Sequence, residues 1–342
     1  MTKVYVGMSG GVDSSVTAAL LVEQGYEVTG IYMKNWSQDL PGMRCPWADD
    51  LADAKRVAVQ LGIDLRVYDF ESEYRSKVVQ YMIDAYKQGI TPNPDVMCNQ
   101  EIKFKLFLDA AREDGADLIA TGHYARVEQS VLKQAVDTNK DQTYFLYRVT
   151  SEALAHTLFP LGGYTKDEVR ELAKKRGLYT AAKKESMGIC FVGKVGIREF
   201  LGQYVEQKPG EIIDKQTGTV LGTHDGAIFY TIGQRHGLDL GGGLPYYVVG
   251  KDMQKNEVYV TTQLQDESLW RHTIELGSSH WISGAAPQDG RYTIRVRHRA
   301  PLVQAQLDSD QITLDEPQRA VAPGQSVVVY DGDVCLGGGI VL

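Results

Sequence analysis

The sequence predicts an α/β protein: a parallel-sheet domain with helices on both faces, then a small β-rich middle domain, then a C-terminal antiparallel β-barrel. Three observations carry this reading. Apolar strand-like runs alternate with helical stretches over roughly the first 125 residues, the βαβα order of a parallel sheet. After about Gly196 the texture turns to frequent glycine and short β-rich runs. From about residue 268 short strands recur between turn residues, the spacing of a compact barrel. The expected domains are 1–196, 197–267 and 268–342, which a chain of 342 residues accommodates.

Taken in order, "VYVG" (4–7) reads as an apolar strand and 14–24 as a helix. "EVTGIYMKNW" is the next strand, "DDLADAKRVAVQLG" an amphipathic helix and "DLRVYDF" a strand. A helix is expected over 71–89, then a loop and helix in "TPNPDVMCNQEIKFKLFLDAAREDG" and a strand in "DLIATGHYA". "SEALAHTLFPLGGYTKDEVRELAKKRG" reads as helical and basic. In the middle domain "GAIFYTIGQ", "YYVVGKD" and "EVYVTT" are the β-rich runs. The barrel strands are "TIRVRHR", "LVQAQL", "QITLD", "QSVVVYDG" and "CLGGGIVL". Ligands of parallel sheets sit at the carboxyl ends of the strands. The loop after Val6, the segment after Ile31 and Thr121-Gly122-His123 all belong on that edge.

The first of these loops carries the most chemistry. Two glycines, three serines and Asp13 crowd into Ser9–Ser15 between strand and helix. Glycines let backbone N–H groups converge, and a helix N-terminus adds its positive end, so the loop suits a phosphate. No lysine follows as in GxxxxGK[ST], and GxGxxG is absent. A net charge of −8 argues against a nucleic-acid binder, but "RYTIRVRHR" (291–299) holds four arginines and no acid, and 170–184 holds six basic residues and one acid. Local patches of this kind can grip a phosphate backbone, although a solvated face is the commoner meaning of either alone. The chain opens Met-Thr-Lys directly before a strand and has no long apolar run, so neither signal peptide nor membrane span is expected and the cytoplasm is the expected location. The four cysteines form no CxxC pair, which argues against a zinc site or disulfide scaffold. A lone cysteine is ordinarily a buried small hydrophobe, and Cys45 and Cys335 are read so. Cys98 follows a proline-stiffened approach with Asp95 three residues before it, and Cys190 lies two residues after Gly188. A thiolate can attack or carry a terminal sulfur.

The segment "SGGVDS" resembles the pyrophosphate loop of the N-type ATP pyrophosphatases, which transfer AMP to a substrate oxygen. "GMSGGVDSS", "MKNW", "TPNPDVMCNQEIKF", "ATGHYAR", "NKDQTYFLY", "ESMGICFVG", "YTIGQRHGL", "YYVVGKD" and "PGQSVVVYDGDVCLGGG" together resemble bacterial tRNA 2-thiouridylases, in order along almost the whole chain. The resemblance implies an ATP pyrophosphatase domain followed by the two β domains, and ATP-dependent 2-thiolation of the wobble uridine. It implies ATP contacts at Gly7, Met8, Ser9, Gly10, Gly11, Val12, Asp13, Ser14, Met33 and Gly122. Asn93, Pro94 and Asp95 match the segment that handles the target base, Cys98 the nucleophile and Cys190 the persulfide carrier, with Asp95 able to act as acid or base. Lys140, Asp141, Gln142, His123, Gln325, Arg297 and His298 match tRNA-contacting positions. The implied partners are tRNA accepting Lys, Glu and Gln, and a cysteine desulfurase or sulfur-relay protein. The implied co-reactants are ATP and Mg2+, with no permanently bound cofactor and no protein-held metal. Two departures stand out: Met187 where the family commonly has threonine, and Arg297-His298 where it often has Arg-Tyr. The loop "SQDLPGMRCPWADD" receives no function. The alternatives are an iron–sulfur cluster on Asp95, Cys98 and Cys190, another ATP pyrophosphatase-type synthetase, or a non-enzymatic RNA-binding or ATP-sensing module.

Overall fold

The structure is a computed structural model that describes residues 1–39, 44–184, 196–241 and 243–342. Its first sheet is parallel and five-stranded: β1 (Lys3–Gly7), β2 (Glu27–Lys34), β3 (Asp64–Asp69), β4 (Leu118–Ala120) and β7 (Thr157–Leu158), ordered β3-β2-β1-β4-β7. Val4, Val6 and Ile31 are fully buried, as expected of central strands covered on both faces. Helices α1 (Val12–Glu23) and α2 (Trp47–Leu61) pack with Val4, Val6 and Ala54 on one side. Phe104, Phe107 and Ile119 form the other core. The order reverses at β1, so the crevice between the ends of β1 and β4 is the switch point where such sheets bind ligands.

Two helical runs follow the strands, α3 over 71–87 and α4 over 94–113. Each contains wide π turns, at Arg75–Val79 and Cys98–Leu106, where the sequence pattern predicts plain helix. Pro94 at the first position of α4 and Asn93 as its cap, Oδ1 accepting Val96 N–H at 3.4 Å, explain the abrupt start.

The expected continuous helical stretch over 151–177 is broken. It contains a short helix Ser151–Ala155, then β7, then α5 (Lys166–Lys175). Pro160 and the Gly162-Gly163 pair stop the helix, and a Cβ at Gly162 would lie 1.9 Å from Ala125 O. Thr165 and Glu168 form a capping box that restarts it.

A hairpin absent from the sequence reading, β5 (Arg126–Glu128) and β6 (Val131–Lys133), leaves the α/β part and pairs with the barrel through Lys133 and Val334. The middle sheet comprises β8 (Gly210–Asp214), β9 (Val220–His224), β10 (Tyr247–Asp252) and β11 (Glu257–Thr261). "GAIFYTIGQ" supplies only a 3-10 turn at Ala227–Phe229 rather than a strand.

The barrel strands are β12 (Trp270–Trp281), β13 (Gly290–Arg295), β14 (Val303–Asp308), β15 (Gln311–Arg319), β16 (Ser326–Asp331) and β17 (Val334–Val341). They pair antiparallel around a ring closed by β12 and β17. Closure removes the edges that an open sheet would expose. β12 lacks a clean alternation because Gly277-Ser278-Ser279 interrupts it. No helix among the described residues is long and apolar enough to cross a membrane.

Candidate active site

The loop after β1 is built from its own hydroxyls. Ser14 Oγ accepts Ser9 N–H at 3.2 Å and donates to Gly11 O at 3.1 Å, while Ser15 Oγ donates to the same carbonyl at 2.7 Å. Gly10 holds φ +72°, and a Cβ there would meet Asp50 O of α2 at 2.3 Å. Gly122 approaches so closely that a Cβ would lie 3.0 Å from Ser14 N. Gly11 caps α1 with no side chain of its own, so the positive end of the helix faces the crevice with little in front of it.

Asp13, in the first turn of α1, accepts both of its strongest bonds from Lys166 Nζ, at 2.7 and 2.8 Å, and a third from the Tyr124 hydroxyl at 3.0 Å. Lys166 is only 8 % exposed. Sequence reasoning missed it. The Thr165–Glu168 capping signal places Lys166 at a helix start, but nothing in the chain relates it to a residue 153 positions away.

Above the loop lies a cavity of about 470 Å³. It brings together Gly7, Met8, Ser9, Gly11, Val12, Asp13, Ser14, Met33, Gly122, His123, Lys140, Gln142 and His298 among the residues expected from the sequence. Its described lining carries five cations (Lys103, Lys140, Lys166, Lys184, Arg299) against two carboxylates, Asp13 and Asp50. The local charge is therefore opposite to the chain's overall −8, and it attracts a polyanion. Asn35 Oδ1 and His298 Nδ1, both on lining residues, are buried without a protein hydrogen bond. Such groups are normally satisfied by a ligand or water.

His123 is buried, and burial, then the Lys103 charge, hold its pKa well below the usual histidine value. Its Nδ1 lies 2.7 Å from Thr121 Oγ1 and its Nε2 3.4 Å from Lys103 Nζ. An ammonium can only donate, so Nε2 accepts and Nδ1 carries the hydrogen given to Thr121. Lys103 also acts on Asp95, whose carboxyl is raised by burial and partly restrained by that cation. Cys98 is 2 % exposed and belongs to the buried cluster that also holds Trp36, Tyr74 and Met82. Neither Asp95 nor Cys98 borders the cavity. Cys190, together with Met187, lies outside the described residues.

Cys45 is buried as expected, yet it also borders the cavity, its thiol donating to Trp36 O at 3.6 Å. Trp47 and Asp50, from the loop given no function, line the same wall. Cys335 is wholly buried and its thiol is pushed far up by burial.

The basic stretches are largely consumed within the protein. Arg176 pairs with Glu23, Lys174 with Glu171, and Lys183 with Asp50 and Asp53. Of the four arginines in 291–299, Arg291 pairs with Asp315 and Arg295 is buried against Asp141 at 2.8 Å. Arg297 remains exposed, and Arg299 turns into the cavity at φ +62°. Asp141, expected at an RNA-contacting position, is 1 % exposed and also accepts from Thr143 Oγ1 and Ala135 N–H. Its carboxylate faces the barrel, so it holds Lys140 and Gln142 in place rather than offering a surface. Gln142 Oε1 in turn accepts Tyr124 N–H at 2.9 Å. Gln325, Asn93 and Pro94 stand away from the cavity lining, where the barrel meets the start of α4.

His298 packs against Phe145 with ring centres 4.5 Å apart and the rings tilted by 43°. Burial, then Arg299 and Arg295, lower its pKa from 6.5 to about 4. The unfolded chain therefore binds the proton more readily, so this contribution to stability is whole above pH 6.5 and is lost as pH falls toward 4. His298→Asn should lose less of its unfolding midpoint between pH 7 and pH 4.5 than the parent protein. Equal losses on thermal unfolding would remove His298 from the acid sensitivity.

The class this architecture defines is a HUP-type α/β protein with appended β domains. Family models match in three successive stretches: a tRNA methyl transferase HUP domain over residues 2–194, a tRNA methyl transferase PRC-barrel domain over 198–262, and an aminomethyltransferase β-barrel domain over 271–341. The tRNA-specific 2-thiouridylase MnmA of Listeria monocytogenes serotype 4a (strain HCC23) is 49% identical over 350 aligned positions, spanning 99% of this chain and 94% of that protein. The tRNA-specific 2-thiouridylase MnmA of Geobacillus thermodenitrificans (strain NG80-2) is 47% identical over 351, with coverage of 99% and 94%. That of Bacillus velezensis (strain DSM 23117 / BGSC 10A6 / LMG 26770 / FZB42) is 47% identical over 352, with 99% and 95%. The chain belongs to the tRNA-specific 2-thiouridylase family.

Proposed function

We propose that this chain thiolates C2 of the wobble uridine in tRNA, using ATP and a sulfur carried on Cys190, in the cytoplasm. The observation that carries the reading is the cavity at the switch point, where a hydroxyl-braced glycine loop and a helix N-terminus face an excess of cations. The near full-length likeness to 2-thiouridylases supports it. Boundaries near residues 196 and 267 then separate the ATP-binding part, the middle domain and a tRNA-contacting barrel.

The chemistry follows from a poor electrophile. The uracil C2 oxygen attacks the α-phosphorus of ATP, the bond to pyrophosphate breaks, and the oxygen becomes part of AMP, a good leaving group. The loop from Gly7 to Ser14 holds the phosphates, with Met33 and Gly122 toward the nucleoside. Sulfur from the Cys190 persulfide adds to C2, either as hydrosulfide released when Cys98 attacks or directly while still bound to Cys190. AMP departs with the former C2 oxygen. In either order the Cys98 thiolate breaks the persulfide S–S bond, the two cysteines become a disulfide, and an external thiol reductant restores them. Asp95, its carboxyl raised by burial, serves as the acid–base group.

Magnesium would arrive on the ATP phosphates themselves, keeping several waters, because Asp13, the carboxylate beside the loop, already accepts from Lys166 and Tyr124. Such an ion would offset phosphate charge, alongside the Lys166 ammonium. The base must leave the anticodon stack to reach the pocket, with Lys140, Gln142, His123 and Arg297 on the approach. Acceptors for Lys, Glu and Gln, and a cysteine desulfurase or relay protein as donor, complete the reading.

Nucleosides from tRNA incubated with the enzyme, ATP, magnesium and a persulfide donor should contain 2-thiouridine by mass spectrometry, with AMP and pyrophosphate released. A methylated nucleoside, or ADP as product, would overturn the reading. Arg297→Ala should weaken tRNA binding and flatten the log–log salt slope by about one unit, the signature of one lost phosphate contact. An unchanged slope in filter binding would leave Arg297 a solvated side chain.

A further inference from the structure

The segment leading into α4 is held by the barrel. Thr91 N–H donates to Pro323 O at 3.0 Å, and Gln325 Nε2 donates to Thr91 O at 2.8 Å. Both main-chain groups of Thr91 are thus satisfied from a turn more than 230 residues away. The Thr91 hydroxyl meets the Thr231 hydroxyl of the middle domain at 3.2 Å, so three parts of the chain converge on this one residue. The fit is close. Gly324 holds φ +90°, and a Cβ there would lie 2.1 Å from Ile90 Cγ2 and 2.8 Å from Thr91 O.

Two residues on, the grip is repeated. The Asn93 side chain lies near the Tyr144 hydroxyl, whose ionised form it favours, and that hydroxyl donates to Ser326 O at 2.9 Å. Asn93 is also the cap of α4, and Asp95 and Cys98 follow in its first turns. A displacement of turn 323–326 therefore moves the N-terminus of α4, and the thiol with it. Gln325 is half-buried, and no hydrogen bond to its Oε1 is found among the described residues. One amide thus holds Thr91 with its nitrogen and keeps an acceptor for a second partner.

We propose that Gln325 is a positioning residue that couples the barrel to Cys98: its amide fixes Thr91, and tRNA seated on the barrel sets the α4 N-terminus through that bond. This rests on the thiolation reading above. The role differs from a simple RNA contact. An RNA contact contributes to affinity, whereas a positioning bond contributes to the rate at saturating tRNA.

The test uses Gln325→Met, which keeps length and loses the amide, and Gln325→Glu, which keeps size and cannot donate to Thr91 O. Expected for both is a fall of about tenfold or more in single-turnover thiolation at saturating tRNA and ATP, with tRNA KM within about twofold. Iodoacetamide labelling, followed by peptide mass spectrometry without tRNA or ATP, should show the Cys98 rate changed severalfold and the Cys45 rate unchanged. A raised KM at unchanged maximal rate, or an unchanged Cys98 labelling rate in a folded variant, would overturn the proposal. Should Gln325→Met unfold, Gln325→Glu alone decides on the same readouts. A parent enzyme that forms no 2-thiouridine would defeat the functional reading alone, because the labelling comparison needs neither RNA nor nucleotide.

Discussion

Cys98→Ser forms 2-thiouridine at least about 10³-fold more slowly than the parent enzyme, while ATP and tRNA affinities stay within about twofold. Losing a nucleophile that no neighbour replaces costs orders of magnitude in rate, whereas adenylation involves no thiol. Serine is close in volume to cysteine, so the packing of the buried cluster around it is nearly kept. The variant should still accept a labelled persulfide on Cys190, and Cys190→Ser should fail with persulfide donors yet bind both substrates. Cys335→Ser gives the contrast: it leaves chemistry intact and costs stability, because a hydroxyl replaces a thiol in a wholly buried place. Thiolation by Cys98→Ser at the parental rate would remove Cys98 from the reaction, and label found on Cys98 but never on Cys190 would exchange their roles.

Gly10→Ala should abolish ATP turnover, with a fall of at least about 100-fold, equivalent to roughly 2.7 kcal/mol. Two penalties act together. The backbone is at φ +72°, which alanine adopts with strain, and the added Cβ would sit 2.3 Å from Asp50 O, a main-chain atom of α2 that cannot rotate away. Either the loop or α2 must shift, and the Ser9–Ser14–Gly11 bonding goes with it. Gly115→Ala separates the two causes. It shares a positive φ, +91°, but meets nothing within 4 Å, so it should lose only about 1 kcal/mol of stability and no activity. Parental pyrophosphate release by Gly10→Ala would show that the loop geometry is not needed for phosphate binding.

Local signals made the α/β order legible. The strand–loop–helix at Val4–Leu21 and the turn-separated barrel strands each rest on neighbouring residues. The pairings that join distant parts of the chain do not. Lys166 reaches Asp13, Asp141 reaches Arg295 and Arg148 reaches Ser278 O across more than 100 positions each. No periodicity or cap records such a pairing. The β5–β6 hairpin escaped for a related reason: two three-residue strands are too short to show alternation, and their link to the barrel is one distant pair, Lys133 with Val334. The basic stretches misled in the opposite direction, since charge counted along the chain ignores the acids folded against it.

The shared wall between the α/β part and the barrel bears on how far the two can be treated as separate parts. Val328, Tyr330 and Cys335 of the barrel lie in the same buried cluster as Phe107, Leu146 and Tyr147, and the fully buried Asp141–Arg295 pair bridges the two. Splitting them would strip one charge of its partner inside a dry interior, which costs several kcal/mol, besides opening an apolar face to water. The barrel is therefore not a portable module that a lineage could gain or shed as a unit. Its inner surface and that of the nucleotide domain are under one constraint, and a change on either side must be answered on the other.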